Sequence, residues 1–303
     1  MERRQSGRVQ ISGFFRMILP AAAILITGVI VIFGVLVYKI SNPGTVPETV
    51  NPSHYLLPSL EVTILSKGGI EIPAWWIPGL KNAPGIILAP GYEMSRSDAL
   101  SLGAALHENG FNILIYEQRG SGAAPRNRST LGLYEPEDMR AAIQYLQGRT
   151  ESNPARMGIW GVDVGASAAL KVAASFPQVR AIAADSAFDT AADFVDYRIT
   201  EDFGLENRLL QFGCYRIFRL AHILDGAPAN ETIPVQALSD RMILFVKGDN
   251  RKALGNLTTA IYDRIKPQKE MISFKIARVR TMSGEDLKSY DRQVANFFHL
   301  NLQ

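Results

Sequence analysis

The segment from Gly161 to Gly165 has the residue types and spacing of a catalytic turn. It reads Gly-Val-Asp-Val-Gly, and glycines two residues before and two after a central residue are the form of a nucleophile elbow. The central residue of such a turn is strained into positive φ and holds its side chain above the sheet. Serine usually occupies that position, but here it is Asp163. A carboxylate nucleophile attacks carbon and then needs a histidine that activates water against the ester intermediate.

The elements around this turn predict a layered α/β protein. Residues 156–160 read as a buried strand and residues 166–174 as the helix that follows it. Further strands are predicted at 60–65, 70–77, 85–89, 112–116, 179–184, 241–246 and 274–279, and further helices at 97–109 and 137–146. Strands that alternate with helices of this length indicate a mostly parallel sheet covered by helices on both faces.

One segment interrupts the alternation. Between about 189 and 238 it lapses, and residues 203–224 form an apolar-rich helical stretch. Such an insertion above the strand ends predicts either a lid over a pocket or extra helices against the edge of the sheet.

The front of the chain predicts a membrane anchor. Residues 17–38 carry no charge over 22 positions, and about 20 apolar residues span a bilayer. A secretory signal is the alternative, but its apolar region is only about 7 to 15 residues long. We therefore divide the chain into a tail at 1–16, a transmembrane helix at 17–38, a Pro-rich linker at 39–59 and a domain at 60–303. The prolines of the linker suit an extended spacer that lifts the domain off the membrane.

Charge predicts the orientation of the chain and excludes nucleic acid as a partner. Four arginines and one glutamate precede the apolar run, and the remaining 28 basic and 28 acidic residues balance. The positive-inside rule then places the N-terminus in the cytoplasm and the domain outside the cell membrane. The neutral remainder offers no basic patch for nucleic acid. Cys214 has no second cysteine to pair with and reads as a small core residue.

Four further motifs, together with the turn at Asp163, carry a family resemblance. Ala-Pro-Gly-Tyr at 89–92 stands where an oxyanion loop is expected, and Glu-Gln-Arg-Gly-Ser-Gly at 117–122 resembles an Asp-x-Arg-Gly-x-Gly loop. Residues 132–138 resemble Gly-x-x-Glu-x-x-Asp, and residues 182–188 resemble a strand with the Asp-Ser that follows it. In this order the motifs resemble the α/β-hydrolase superfamily, in particular its membrane-anchored bacterial members with a serine aminopeptidase-like domain. The resemblance implies an α/β-hydrolase fold.

The same resemblance implies that the catalytic triad is degenerate. The family has a nucleophile, an acid and a histidine in that chain order, and the corresponding positions hold Asp163, Arg251 and Glu285. The oxyanion hole is expected at the backbone N–H groups of Tyr92 and Val164. A guanidinium between two carboxylates satisfies both, so we expect a buried ion cluster of Asp163, Arg251 and Glu285, in which the N–H donors hold Asp163 itself. Asp249 competes for Arg251 and is the fallback acid. The first hypothesis is a binding or scaffolding role for a small-molecule or peptide ligand under the insertion, without a cofactor or metal.

The alternative hypothesis is an active hydrolase. Asp163, Ser167 or Ser186 would then act on esters, amides or alkyl halides. Four histidines are candidate bases, and His222 fits best because an insertion can fold over the site; the other three are His54, His107 and His299.

Overall fold

The structure is a computed structural model that describes residues 11–44, 46–120, 128–223, 232–266, 268–277 and 279–303, with side chains from residue 18 onward. Most of the predicted tail at 1–16, the end of the 117–122 loop and part of the 189–238 insertion lie outside the described residues.

The described strands form one eight-stranded sheet. Its strands are β1 Leu60–Ser66, β2 Ile70–Ile77, β3 Ala83–Ala89, β4 Asn112–Tyr116, β5 Ser152–Val162, β6 Val179–Asp185, β7 Met242–Gly248 and β8 Lys269–Phe274. The order across the sheet is β1-β2-β4-β3-β5-β6-β7-β8. The strand β2 runs antiparallel to β1 and β4, and every other pair is parallel. The predicted, mostly parallel sheet is therefore confirmed.

Helices cover both faces of this sheet. The described helices are α1 Ile11–Ser41, α2 Leu100–Glu108, α3 Glu135–Gln147, α4 Val164–Ala173, α5 Ala191–Phe203, α6 Arg208–Ile223, α7 Lys252–Arg264 and α8 Gly284–Leu302. Successive side chains of a strand point to opposite faces. Ile159 of β5 accordingly packs with α3 and α4, while Trp160 packs with α2 and α8. Such burial on both faces explains the continuous apolar runs of the central strands.

The last strand differs from its prediction. It was expected at 274–279, but β8 ends at Phe274, and residues 279–281 form a short 3₁₀ helix. Because β8 is an edge strand that pairs with β7 alone, it needs no continuous apolar run. Its sequence is Lys-Glu-Met-Ile-Ser-Phe, and its side chains are half-buried or exposed. The more apolar stretch that follows therefore misled the prediction.

The N-terminal helix is long and apolar enough to span a membrane. Its apolar stretch covers Ile18–Ser41, 24 residues with a mean hydropathy of 2.7 in its most apolar window. The helix α1 thus ends three residues beyond the predicted span. Its last turns are not free, because Val37 and Ile40 are buried against residues of α5 and α6.

The linker after α1 is not an extended spacer, and that expectation is wrong. Its apolar side chains Val46 and Leu57 are buried. Glu48 receives a hydrogen bond of 2.7 Å from the guanidinium of the buried Arg96. These contacts hold the described part of the linker against the domain. The expectation was wrong because it considered the prolines of the linker and not its apolar residues.

The helices α5 and α6 form the predicted insertion between β6 and β7. Together with the end of α1, they form an apolar cluster at the carboxyl ends of the strands, which includes Tyr92 and Phe194. The insertion therefore covers the place where β5 turns into α4.

Two helical glycines give a test of the packing at the turn. A Cβ on Gly165 of α4 would lie 2.5 Å from the carbonyl oxygen of Ala89, whereas a Cβ on Gly255 of α7 would make only ordinary contact. We expect Gly165→Ala to lower the free energy of unfolding by about 1–3 kcal/mol through overpacking. Gly255→Ala should raise it by about 0.5–1 kcal/mol because alanine favours a helix. Denaturant unfolding of the full chain in detergent measures both, and equal effects would contradict this close packing.

Candidate functional site

The turn from β5 to α4 has the backbone of a nucleophile elbow. Asp163 has φ 38° and ψ −98° and stands directly before the first residue of α4. The two elbow glycines make this turn possible, since a Cβ on Gly161 would lie 2.5 Å from the carbonyl carbon of Gly165. Strain of this kind at a non-glycine residue occurs where the surrounding structure enforces it. The predicted elbow and its close strand-to-helix packing are therefore present.

The Asp163 carboxylate occupies the oxyanion hole. Its Oδ1 accepts hydrogen bonds of 2.8 Å from the N–H of Tyr92 and of 2.6 Å from the N–H of Val164. These are the two donors predicted from the sequence, and they hold Asp163 as expected. Gly91 leaves room for the group, because a Cβ there would lie 2.8 Å from the same oxygen. The partial positive charge at the start of α4 also favours a carboxylate.

The second carboxylate oxygen faces Arg251. Its Nη2 lies 3.7 Å from Oδ2 of Asp163, and its Nε donates a hydrogen bond of 3.1 Å to the hydroxyl of Tyr197. Burial alone would lower the pKa of Arg251, but the charge of Asp163 and the contact with Tyr197 raise it above its ordinary value. The side chain of Asp163 is 3% exposed and that of Arg251 is 11% exposed. The two residues therefore form a buried ion pair.

The third predicted member of this ion cluster is elsewhere. The side chain of Glu285 is 88% exposed and pairs with Lys288 at 3.0 Å. The prediction that it flanks Arg251 is wrong, because the misplaced last strand shifted the expected loop into α8. Asp249, the competitor for Arg251, is exposed beyond the end of β7.

Asp185, at the end of β6, is the second buried carboxylate near Arg251. Its Oδ2 accepts a hydrogen bond of 2.9 Å from the hydroxyl of Tyr290, which in turn accepts one of 2.8 Å from Nε1 of Trp160. Its Oδ1 accepts one of 2.8 Å from the Ser186 hydroxyl. Burial raises the pKa of Asp185 to about 6, although these hydrogen bonds and the charge of Arg251 oppose the rise. Sequence reasoning had singled out the Asp-Ser pair as a family motif without giving it this role.

The raised pKa of Asp185 gives its contribution to stability a definite sign. An unfolded aspartate has a pKa of about 3.9, so the folded state binds the proton more tightly than the unfolded state does. The contribution is complete below the unfolded value and is lost as the pH rises through about 6.

The histidines make other contacts. His54 pairs with Asn51, and His107 lies 3.0 Å from the carbonyl oxygen of Pro78. His222 packs edge-on against Phe218, with ring centroids 4.7 Å apart, and His299 lies near the end of α8. The contacts that the structure gives the Asp163 carboxylate come from Tyr92, Val164 and Arg251, and none of these is an imidazole.

The two alternative serine nucleophiles are engaged as well. The hydroxyl of Ser167 donates to the carbonyl of Phe188 at 2.7 Å and accepts from its N–H at 3.0 Å. Ser186 has φ 56°, and its hydroxyl donates to Asp185. Both residues are buried.

Tyr92 and side chains of helix α5 fill the space above the elbow. The ring of Tyr92 contacts Phe194 edge-on with centroids 5.7 Å apart, and the guanidinium of Arg198 stacks 4.3 Å from the same ring. The Tyr92 hydroxyl donates to the carbonyl of Ile40 in α1 at 2.8 Å. Asp163 is consequently only 2% exposed.

A cavity of about 380 Å³ lies beyond Tyr92, against the end of α1. Asp163 does not line it; the lining residues are Tyr38, Lys39, Asn42, Pro43, Gly44, Tyr92, Glu93, Arg198, Asp202 and Phe203. Arg198 is buried there and pairs with Asp202 at 2.7 Å and with Glu93 at 3.5 Å. Among the described residues, no group of three or more histidine, cysteine or acidic side chains could hold a metal ion.

The elbow, its two N–H donors and the doubly covered sheet are features of the α/β-hydrolase fold. Residues 84–216 match a family model described as alpha/beta hydrolase fold. An esterase of Pyrococcus furiosus superposes with a TM-score of 0.67 at 21% identity, over 88% of this chain and 99% of the esterase. GrgF of Penicillium superposes with a TM-score of 0.59 at 18% identity, over 81% and 99%. The chain therefore has the α/β-hydrolase fold, and its residues 84–216 match that family.

Several curated proteins are also similar to this chain in sequence. An uncharacterized protein of Mycobacterium tuberculosis is 30% identical over 45% of this chain and 47% of its own length. The polyketide transferase of Penicillium is 26% identical over 41% and 44%. The chain thus spans about half the length of these relatives. The uncharacterized protein YfhR of Escherichia coli is 23% identical over 74% of this chain and 82% of its own length.

A double-mutant cycle tests the buried pair. Asp163→Asn and Arg251→Met should each lower the free energy of unfolding by about 2 kcal/mol or more, because each leaves a buried polar partner unsatisfied. We expect the double variant to lose less than the two singles together, by about 0.5–3 kcal/mol. Glu285→Gln is the control and should stay within about 0.5 kcal/mol of the wild type. Additive losses in denaturant unfolding would show that Asp163 and Arg251 do not interact.

Proposed function

We propose that this chain is a membrane-anchored α/β-hydrolase-like protein that does not hydrolyse substrates and acts by binding. The proposal rests on one observation: the carboxylate at the nucleophile position occupies the oxyanion hole. A tetrahedral intermediate needs those N–H donors for its own oxygen, but Oδ1 of Asp163 already accepts from Tyr92 and Val164. The hole is therefore closed to a substrate in this arrangement.

The surroundings of Asp163 also argue against carboxylate catalysis. One oxygen is held by two N–H groups and the other faces Arg251, so neither is presented to a carbon atom. A cation beside the carboxylate lowers its nucleophilicity by stabilising its charge. The intermediate would also need a histidine to activate water, and the described contacts of Asp163 include none. Enzymes that lose a nucleophile and base retain only the rate acceleration that substrate binding and the oxyanion hole supply.

The cavity beyond Tyr92 supports a binding role. It has about 380 Å³, within the usual range for small-molecule sites. Lys39 and Arg198 supply positive charge and Glu93 and Asp202 supply negative charge among its lining residues. Such a mixture suits a ligand that carries both an amino and a carboxylate group, such as an amino acid or a short peptide.

The membrane anchor is part of the same proposal. The apolar stretch Ile18–Ser41 supports a single span, and the arginines before it support a cytoplasmic N-terminus by the positive-inside rule. The domain and its cavity would then lie outside the cell membrane, with the cavity next to the outer end of α1.

A second candidate function is acyl transfer or ester hydrolysis. Two similar proteins favour it: the esterase of Pyrococcus furiosus and an acyltransferase of Aspergillus calidoustus that is 32% identical over 40% of this chain. In this chain the insertion formed by α5 and α6 would have to move, and Asp163, Ser167 or Ser186 would have to leave the partners described above.

Turnover of model substrates separates the two functions. Purified wild-type chain, Asp163→Ala, Ser167→Ala and Ser186→Ala are assayed with activated esters, amides and haloalkanes. We expect the wild type and all three variants to show the same background, because none of the three side chains is free to attack. Turnover in the wild type that disappears in one variant would identify that residue as the nucleophile and establish the enzyme instead.

Ligand-induced stabilisation tests the binding role. Amino acids and dipeptides are screened for an increase in the thermal midpoint of the full chain in detergent, since a ligand that binds the folded state stabilises it. We expect a compound that stabilises the wild type to lose its effect in Arg198→Met, which removes a cation from the cavity. Arg180→Met is the control, because Arg180 is exposed on β6 outside the cavity lining, and it should retain the effect. An effect that survives in Arg198→Met would place the ligand elsewhere.

A further inference from the structure

Helix α6 exposes an apolar stripe to the surroundings of the protein. Leu209 is 80% exposed, Phe212 60%, Leu220 58% and Ile223 54%. With Arg216 these residues follow one another at spacings of three or four, so they share one side of the helix. The opposite side is also apolar, because Cys214 and Phe218 are buried in the domain. A helix that is apolar on the side away from its domain needs a second apolar environment.

The stripe lies beside the proposed membrane span. The helix α6 packs against α1, and Gly213 of α6 lies so close to Phe33 that a Cβ on the glycine would overlap its ring. Phe33 precedes the predicted end of the span at Tyr38 by five residues, or about 8 Å along a helix. The contact between α6 and α1 therefore reaches into the apolar stretch itself, at a depth where interfacial helices lie.

The charge of α6 suits the surface of a bilayer. Its sequence contains Arg208, Arg216 and Arg219 and neither aspartate nor glutamate. The guanidinium of Arg216 lies 5.5 Å from the ring of Phe212, so cation and apolar side chain occupy the same side. Basic residues next to apolar ones are the composition of helices that lie in the headgroup region and attract anionic lipids.

We propose that α6 lies in the membrane–water interface, with Leu209, Phe212, Leu220 and Ile223 among the lipid chains and its arginines at anionic headgroups. The inference rests on the proposed anchor and adds a second membrane contact to it. Two membrane contacts restrict the orientation of the domain on the bilayer more than a single span does. The cavity lined by Tyr38 and Gly44 then opens at the membrane surface.

Lipid-borne quenchers test this contact in the full chain. Phe212→Trp and the control Leu300→Trp are reconstituted into vesicles of phosphatidylcholine and phosphatidylglycerol with brominated acyl chains. Leu300 is 70% exposed on α8, which packs on the sheet and on α2 rather than on α1. We expect brominated chains to quench the added fluorescence of Phe212→Trp and leave that of Leu300→Trp unchanged. The native Trp75, Trp76 and Trp160 are buried, and wild-type vesicles give their contribution.

The other outcomes each overturn the inference in a distinct way. Quenching of Phe212→Trp by aqueous iodide instead of brominated lipid would show that the stripe faces water. Protection from both quenchers would show that a protein, such as a second copy of the chain, covers it. Labelling of Leu220→Cys by a water-soluble maleimide is the second measurement, with the buried Cys214 as wild-type background, and rapid reaction in vesicles contradicts the proposal.

Alkaline carbonate extraction tests the proposed anchor separately from the contact of α6 with the membrane. A wild-type chain that resists extraction while Phe212→Trp remains open to iodide retains its anchor and loses only the proposed role of α6. Release of the wild-type chain by carbonate would contradict the anchor of the proposed function as well.

Discussion

The placement of the Asp163 carboxylate in the pair of N–H groups at the start of α4 is the interaction on which the site depends. The backbone of the elbow is strained, with φ 38° at a residue that has a Cβ, and such strain persists only when neighbouring contacts enforce it. Oδ1 of Asp163 accepts hydrogen bonds from the two N–H groups. The partial positive charge at the N-terminus of α4 stabilises the negative charge of the carboxylate. In an enzyme of this fold such donors bind a substrate oxygen, whereas here they hold the side chain of Asp163.

Charge balance explains why Arg251 accompanies this replacement. A carboxylate removed from water needs a cation or several hydrogen bonds, and two buried carboxylates, Asp163 and Asp185, lie near the carboxyl ends of β5 and β6. The charge of the guanidinium opposes the effect of burial on the pKa of Asp185. Above about pH 6 the three groups carry one net negative charge, the same net charge as a triad with a neutral histidine. A neutral residue in place of Arg251 would leave two buried negative charges.

The sequence was sufficient to predict the fold and part of the candidate site. Apolar runs and glycine spacing predicted the parallel sheet and the elbow, because these features depend on local backbone geometry. The donors at Tyr92 and Val164 were expected from the family resemblance. Arg251 was found because it follows β7, a buried strand that is easy to recognise. The prediction that Glu285 lies beside Arg251 was wrong because β8, from which its position was counted, is an edge strand without a continuous apolar run. Asp185 was not assigned its role because its partners, Tyr290 and Trp160, come from distant elements that only the folded sheet brings together.

One residue, Tyr92, connects the elbow to the end of α1. The N–H of Tyr92 donates to Asp163 and its hydroxyl donates to the carbonyl of Ile40, which belongs to the last turn of α1. The ring between them separates the buried carboxylate from the cavity, and Arg198 stacks on it. Any movement of α1 against the domain must therefore either break the bond at Ile40 or displace the donor that holds Asp163. A linker without contacts would allow α1 to move independently, whereas the packed arrangement joins the end of α1 to the helices of the insertion.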